Sequence, residues 1–201
     1  MARPPALDTA NGTRIVLDVR SLCLTDDQYY RFCMDNRDLR IELSAHGELI
    51  LMSPTNSGTG RKNAKINQRL SNWAEQNGMG ECFDSSSEFT LPNRAKRSPD
   101  ASWILKSRWD RLTPEEKNKF SPICPDFVLE LRSPSDRRSE LEQKLEEYIA
   151  CGARLGWILD PIDNCATIYR PGQTPIRIEN PAIMSGDPEL PDFEFDFREI
   201  L

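Results

Sequence analysis

Apolar and polar positions change period several times along the chain. Thr25-Asp26-Asp27-Gln28 has the form of a capping box and predicts a short helix through about Met34. Leu39–Leu43 and Glu48–Met52 alternate around Ala45-His46-Gly47, which predicts a β-hairpin, and Ser53–Gly60 reads as a loop. From about Asn63 to Asn77, Ile66, Leu70 and Trp73 recur at helical spacing and predict an amphipathic helix. Strands are expected near 81–91, 97–104 and 125–132, with a short helix at 114–119. Ser139-Glu140-Leu141-Glu142 is a second capping-box pattern. It predicts a helix to Cys151, with Leu141, Leu145 and Tyr148 on one side and Gly152 as the stop. Leu155–Asp160 and Ala166–Tyr169 are further strands, turned at Pro171-Gly172. The acidic, Pro-rich stretch from 177 is expected to be irregular, with a final short strand. This order implies an α/β (α+β) domain with a mixed central sheet flanked by helices.

The 201 residues suit a single domain. We divide it into an extended segment (1–23), a helix and hairpin (24–60), a core (61–176) and an acidic tail (177–201). No apolar run approaches the ~20 residues of a membrane span, and Met1–Pro5 lacks the apolar stretch of a signal peptide, so a cytoplasmic location is expected. Six cysteines without CxxC or CxxxC spacing give a zinc ribbon no support and read as buried, reduced thiols. The single histidine, His46, falls in the hairpin turn, which weighs against mechanisms that need a histidine base or a His-rich metal site.

The net charge of −6 argues against a protein that coats nucleic acid through bulk charge. The charge is uneven: residues 1–60 carry −2, 61–111 carry +4 and 112–201 carry −8. The basic stretch holds Arg61, Lys62, Lys65, Arg69, Arg94, Lys96 and Arg97. These residues are either ordinary solvated charges or a nucleic-acid track, with Arg61, Lys62, Lys65 and Arg97 as candidate substrate contacts.

Two segments carry candidate chemistry: Arg97–Trp103 and Pro125–Ser135. In the second, Phe127, Leu129 and Leu131 fall on one strand face, and Asp126, Val128, Glu130 and Arg132 on the other. Asp100 lies on a neighbouring strand candidate. Carboxylates converging from adjacent strands repel, and a hard divalent cation such as Mg²⁺ between them would remove that cost. A water on that cation could attack a phosphodiester. Lys144 shares the packed helix face of Leu141 and Tyr148, so it needs a partner, and Glu130 is the candidate; Gln143 is adjacent. Glu88 alternates with Asp84, Ser86 and Thr90 and is either a third metal ligand or an ordinary strand residue. For Asp126 the plainer reading is a strand-entry residue.

From about Leu24 onward the sequence resembles the PD-(D/E)xK nuclease superfamily, and more narrowly its Uma-type restriction endonuclease family. The resemblance rests on Met52-Ser53-Pro54-Thr55, Phe89–Asn93, Ser98–Trp103, Pro125–Asp136, Lys144–Tyr148, Gly152–Asp160 and Tyr169–Gly172, in order. It implies a restriction-endonuclease-like core, with the first helix and hairpin as an N-terminal extension, and Mg²⁺-dependent (or Mn²⁺-dependent) hydrolysis of DNA. By position Asp100 matches the motif aspartate and Glu130 the acidic residue of (D/E)xK. The lysine position holds Arg132, which can bind phosphate or buttress Glu130 but cannot act as a base. Lys144 stands where a lysine supplied from the neighbouring helix would be.

Two other classes compete. One is an inactive nuclease-fold protein that binds nucleic acid or a protein, favoured by the net charge and the missing lysine. The other is a two-carboxylate glycosidase, which the order of elements fits poorly. Double-strand cutting would call for a homodimer, although no residue marks an interface.

Overall fold

A computed structural model describes residues 6–8 and 14–201. Of the expected N-terminal segment, residues 1–5 and 9–13 lie outside them. Strand β1 is Ala6–Asp8 and β2 is Arg14–Asp18. Helix α1 (Asp26–Asp35) starts on the Thr25/Gln28 capping box that the sequence predicts. The hairpin follows as β3 (Arg40–Leu43) and β4 (Glu48–Met52), turning at Ala45–Gly47. Helix α2 spans Ser57–Asn77, then come β5 (Gly80–Asp84), β6 (Phe89–Thr90), β7 (Lys96–Arg97) and β8 (Ala101–Leu105). Helices α3 (Lys106–Trp109) and α4 (Pro114–Lys117) precede β9 (Phe127–Leu131) and α5 (Arg138–Ala150). The chain closes with β10 (Leu155–Asp160), β11 (Cys165–Tyr169), β12 (Ile176–Glu179), β13 (Ile183–Ser185), β14 (Glu194–Asp196) and a 3-10 turn over Phe197–Ile200.

Two six-stranded sheets organise these elements. The first has the order β1-β2-β4-β3-β7-β6 and the second β12-β11-β10-β9-β8-β5. In the second sheet β9 and β10 are parallel and the other pairs antiparallel, so the sheet is mixed. Helix α5 is the crossover between the parallel strands. It lies close to β10 because Gly156 has no Cβ, which would stand 2.5 Å from a Leu145 methyl.

Alternation along β9 feeds two cores. Phe127, Leu129 and Leu131 pack with Ile66, Leu70 and Trp73 of α2. Val128 packs on the opposite face with Leu145 and Tyr148 of α5. A smaller core joins α1 to the first sheet through Tyr29, Ile41 and Leu49.

Several expectations need correction. Helix α2 begins at Ser57, inside the expected loop, because the Asn56 side chain accepts from Thr59 N (3.0 Å) and caps it. The expected strand at 81–91 breaks after Asp84, whose carboxylate accepts from Ser86 N (3.0 Å) and turns the chain. The expected strand at 97–104 is divided: β7 belongs to the first sheet and β8 to the second, so Ser98–Asp100 carries the chain between them. Helix α5 starts at Arg138, with Arg137 at its cap position and no side-chain cap bond, so the Ser139 box does not form. The preceding turn is instead set by Ser133 N donating to Asp136 Oδ2 at 2.7 Å. The tail is not mainly irregular: it supplies three strands and buries Met184, Leu190, Phe193, Phe195, Phe197 and Ile200 in the α2-side core. All six cysteines are free, Cys124 and Cys165 buried but Cys23 exposed. Among the described residues no helix is long and apolar enough to cross a membrane.

Candidate active site in the cleft between the sheets

The inner face of the first sheet, the end of β9 and one side of α5 enclose a cleft of about 920 Å³. Arg14, Arg40, Glu42, Ile50 and Met52 line it from the sheet, Asp100 and Glu130 from its base, and Gln143, Lys144 and Glu147 from the helix.

Glu130 points from β9 toward α5 and is 3% exposed. Lys144 comes down from α5 and places its Nζ 2.9 Å from Glu130 Oε1 and 2.9 Å from Glu42 Oε1. Its contact with Glu130 is a close charge pair rather than an aligned hydrogen bond. It donates instead to Ser98 O at 3.3 Å. Asp100 sits at the crossover between the sheets. Its Oδ2 accepts from Leu131 N (2.9 Å) and its Oδ1 from Asn63 Nδ2 (3.1 Å), with Arg40 at 3.7 Å. Asp100, Glu130 and Lys144, the main sequence candidates, are thus gathered at one place.

Glu42 is the member that sequence reasoning missed. It is 3% exposed and held by Ser98 N (3.0 Å), Arg97 (3.1 Å) and Lys144. The available signal was Arg40 and Glu42 alternating with Leu39, Ile41 and Leu43, a charged pair on one face of a strand whose other face is apolar.

Electrostatics separate the two buried glutamates. Burial pushes the Glu130 carboxyl up and Lys144 opposes this only in part. Asp100 and Glu42 push it further, to about 8. Burial also raises Glu42, but Lys144, Arg97 and the Ser98 N–H outweigh it and bring Glu42 to about 2. Burial tends to neutralise Lys144, yet the two glutamates hold its pKa above the ordinary lysine value, so the ammonium stays protonated.

The other candidates lie elsewhere or do other work. Arg132 turns to Asp160 (2.6 Å) and Asp163 (2.7 Å) and neither buttresses Glu130 nor lines the cleft. Arg132 N donates to Leu159 O (2.9 Å), which sets its side chain beside Asp160 at the end of β10. Glu88 accepts from the Tyr29 hydroxyl at 2.7 Å and does not line the cleft; burial chiefly raises it to about 8. Asp126 accepts from Leu105 N (2.9 Å) and pairs with Arg108 (2.9 Å), a strand-entry role. Arg97 lines the cleft but is spent on Glu42 and on Glu147 (2.6 Å). Arg61, Lys62 and Lys65 are on α2 outside the cleft lining; Arg69 pairs with Glu199 and Lys96 with Asp26. Among the described residues no group of three or more His, Cys, Asp or Glu is arranged to hold a metal ion.

A mixed sheet flanked by helices, with Asp100, Glu130 and Lys144 gathered at one cleft, is the arrangement to set against known proteins. A crystal structure described as that of "a putative nuclease belonging to DUF820" from Anabaena variabilis superposes with a TM-score of 0.70. The match covers 88% of this chain and 97% of that one at 16% identity, which establishes the shared fold. The Uma2 family model, described as "Putative restriction endonuclease", matches residues 26–198, and the chain belongs to this family. The curated proteins contain no match.

Proposed function

We propose that this protein is a metal-dependent endonuclease that hydrolyses DNA phosphodiester bonds, with Asp100 and Glu130 holding Mg²⁺ or Mn²⁺. The observation that supports this most is the placement of Lys144 between Glu130 and Glu42, with Asp100 beside them at the cleft base. The donor set fits the ion. Mg²⁺ takes one or two carboxylates and keeps several waters, so a pair of carboxylates in an open cleft suffices. Burial chiefly raises the Glu130 pKa, with Asp100 and Glu42 adding to it, and a divalent cation between Asp100 and Glu130 would favour the ionised carboxylate. When bound, the cation supplies Lewis acidity and a water of lowered pKa.

The protein residues have distinct parts. Lys144 stays charged, so it orients a water or phosphate oxygen and stabilises developing negative charge rather than accepting the proton. Glu42 holds the Lys144 ammonium at Glu130, and Arg97 with Glu147 holds Glu42. The apolar cores on either side of β9 fix the carboxylate that β9 carries.

The decisive test is cleavage of plasmid and linear DNA with Mg²⁺, Mn²⁺ or EDTA, comparing the wild type with Asp100→Ala and Lys144→Ala. Metal-dependent cleavage lost in both variants supports the reading. Equal cleavage by wild type and Asp100→Ala would assign the activity to a contaminant. The competing reading, a nuclease fold that binds without cutting, is favoured by Arg132 at the motif lysine position. Salt-sensitive DNA binding with no cleavage under any metal would select it.

A further inference from the structure

Strand register places two arginines side by side on the cleft face. Arg40 lies opposite Met52 on one edge of β4. On the other edge Ile15 lies opposite Leu51, so Arg14 occupies the next position, also beside Met52. Opposed residues share a face, and all three line the cleft. The Nε–H groups of both arginines are shielded from water and have no hydrogen-bond partner among the described residues. Such donors are costly unless a ligand satisfies them. Arg40 only approaches Asp100, at 3.7 Å. Arg14 crosses the cleft to pair with Glu140 on α5. That pair is partly exposed, 35% and 39%, where an ion pair contributes little and is readily exchanged.

We infer that Arg14 and Arg40 form a phosphate grip for the bound strand, beside the proposed catalytic centre, and that Glu140 occupies Arg14 until substrate phosphate displaces it. This rests on the nuclease reading above and deepens it. A guanidinium fork matches a phosphodiester in two parallel bonds, and two forks flanking one apolar residue give a site that a single carboxylate on α5 fills only partly. The Arg14–Glu140 pair is therefore both a latch across the cleft and a competitor of the substrate.

Filter binding of a short radiolabelled DNA duplex over a range of salt, with Ca²⁺ replacing Mg²⁺, tests this in the wild type, Arg14→Ala, Glu140→Gln and the double variant. Arg14→Ala is expected to weaken binding about tenfold and to lower the slope of log K against log salt by about 0.9. Glu140→Gln is expected to tighten binding about threefold when Arg14 is present and not in its absence, a coupling that general charge removal does not produce. Equal tightening in both backgrounds overturns the latch, and an unchanged salt slope in Arg14→Ala overturns the grip. Thermal melting confirms that each variant is folded. Wild-type cleavage of DNA with KM unaltered by Arg14→Ala defeats only this inference. Failure of the wild type to bind DNA at all defeats the nuclease reading, and the inference with it.

Discussion

Replacing Glu130 with glutamine should stabilise the protein while destroying the proposed activity. Glu130 is buried, and its pKa moves from an ordinary 4.5 to about 8 because burial, Asp100 and Glu42 together outweigh Lys144. Between those values the folded chain keeps a proton that the unfolded chain has released. Wild-type stability therefore falls as pH rises through this window, at up to about 1.4 kcal/mol per pH unit. The whole window sets a ceiling of about 5 kcal/mol. In Glu130→Gln, Lys144 keeps its pair with Glu42 at 2.9 Å, but one partner is lost. Relaxation and water entry in the wild type reduce the gain further, to about 1–2 kcal/mol. Urea unfolding followed by far-UV circular dichroism, in EDTA and reductant, gives the difference between variant and wild type. It should be near zero at about pH 5, grow with pH and level off above about pH 8. A pH-independent difference, or a wild type more stable than the variant at alkaline pH, would refute the electrostatic account. Adding Mg²⁺ at about a hundred times its Kd should stabilise the wild type by about 2.7 kcal/mol and leave the variant unchanged. Equal shifts would place the metal elsewhere.

Other expectations follow from the same contacts. Lys144→Ala should lower kcat about 100-fold or more, and should destabilise the fold by about 1–3 kcal/mol near neutral pH, because the Glu42 carboxylate loses one of its two cations and keeps Arg97 at 3.1 Å; single-turnover cleavage and urea melts read the two effects. Arg132→Met should cost about 1–3 kcal/mol through Asp160 yet leave the cleavage rate unchanged, since the side chain faces away from the cleft; a matching loss of rate would return Arg132 to the site. Phe193→Ala should cost about 3–5 kcal/mol, because the ring packs against Trp73, Phe127 and Trp157. Gly80→Ala should cost about 1–3 kcal/mol, because a Cβ there would lie 2.3 Å from Ile104 O, which cannot swing aside.

The elements legible in the sequence were those with local causes. The Thr25 cap, the hairpin, the face of Ile66, Leu70 and Trp73, and the alternation of β9 all arise within a few residues. What escaped was decided by distant neighbours. Ser98–Asp100 passes from one sheet to the other because β7 pairs with β3 while β8 pairs with β9. The tail orders because its aromatic residues meet α2 and the central sheet. At the site, Asp100, Glu130 and Lys144 could be selected by charge on packed faces together with family resemblance. Glu42 belongs to a hairpin that reads as peripheral until the first sheet folds over α5. Arg132 shows the opposite failure: strand alternation put it on the same side as Glu130, but Asp160 at the neighbouring strand end draws its guanidinium away.

The distribution of indole rings gives the molecule an optical asymmetry. Trp73, Trp103 and Trp157 lie in the core on the α2 side of the central sheet, the first two edge to face at 5.5 Å and the third stacked on Phe193. Trp109 lies apart from them, against Phe83 and beneath Lys117. No tryptophan lines the cleft, so intrinsic emission is dominated by the core rather than by the proposed site. A ligand entering the cleft should leave that signal nearly unchanged, while detachment of the C-terminal segment should shift it to the red. Occupancy of the cleft calls for a chromophore introduced there, and the native tryptophans serve as an internal gauge of the core.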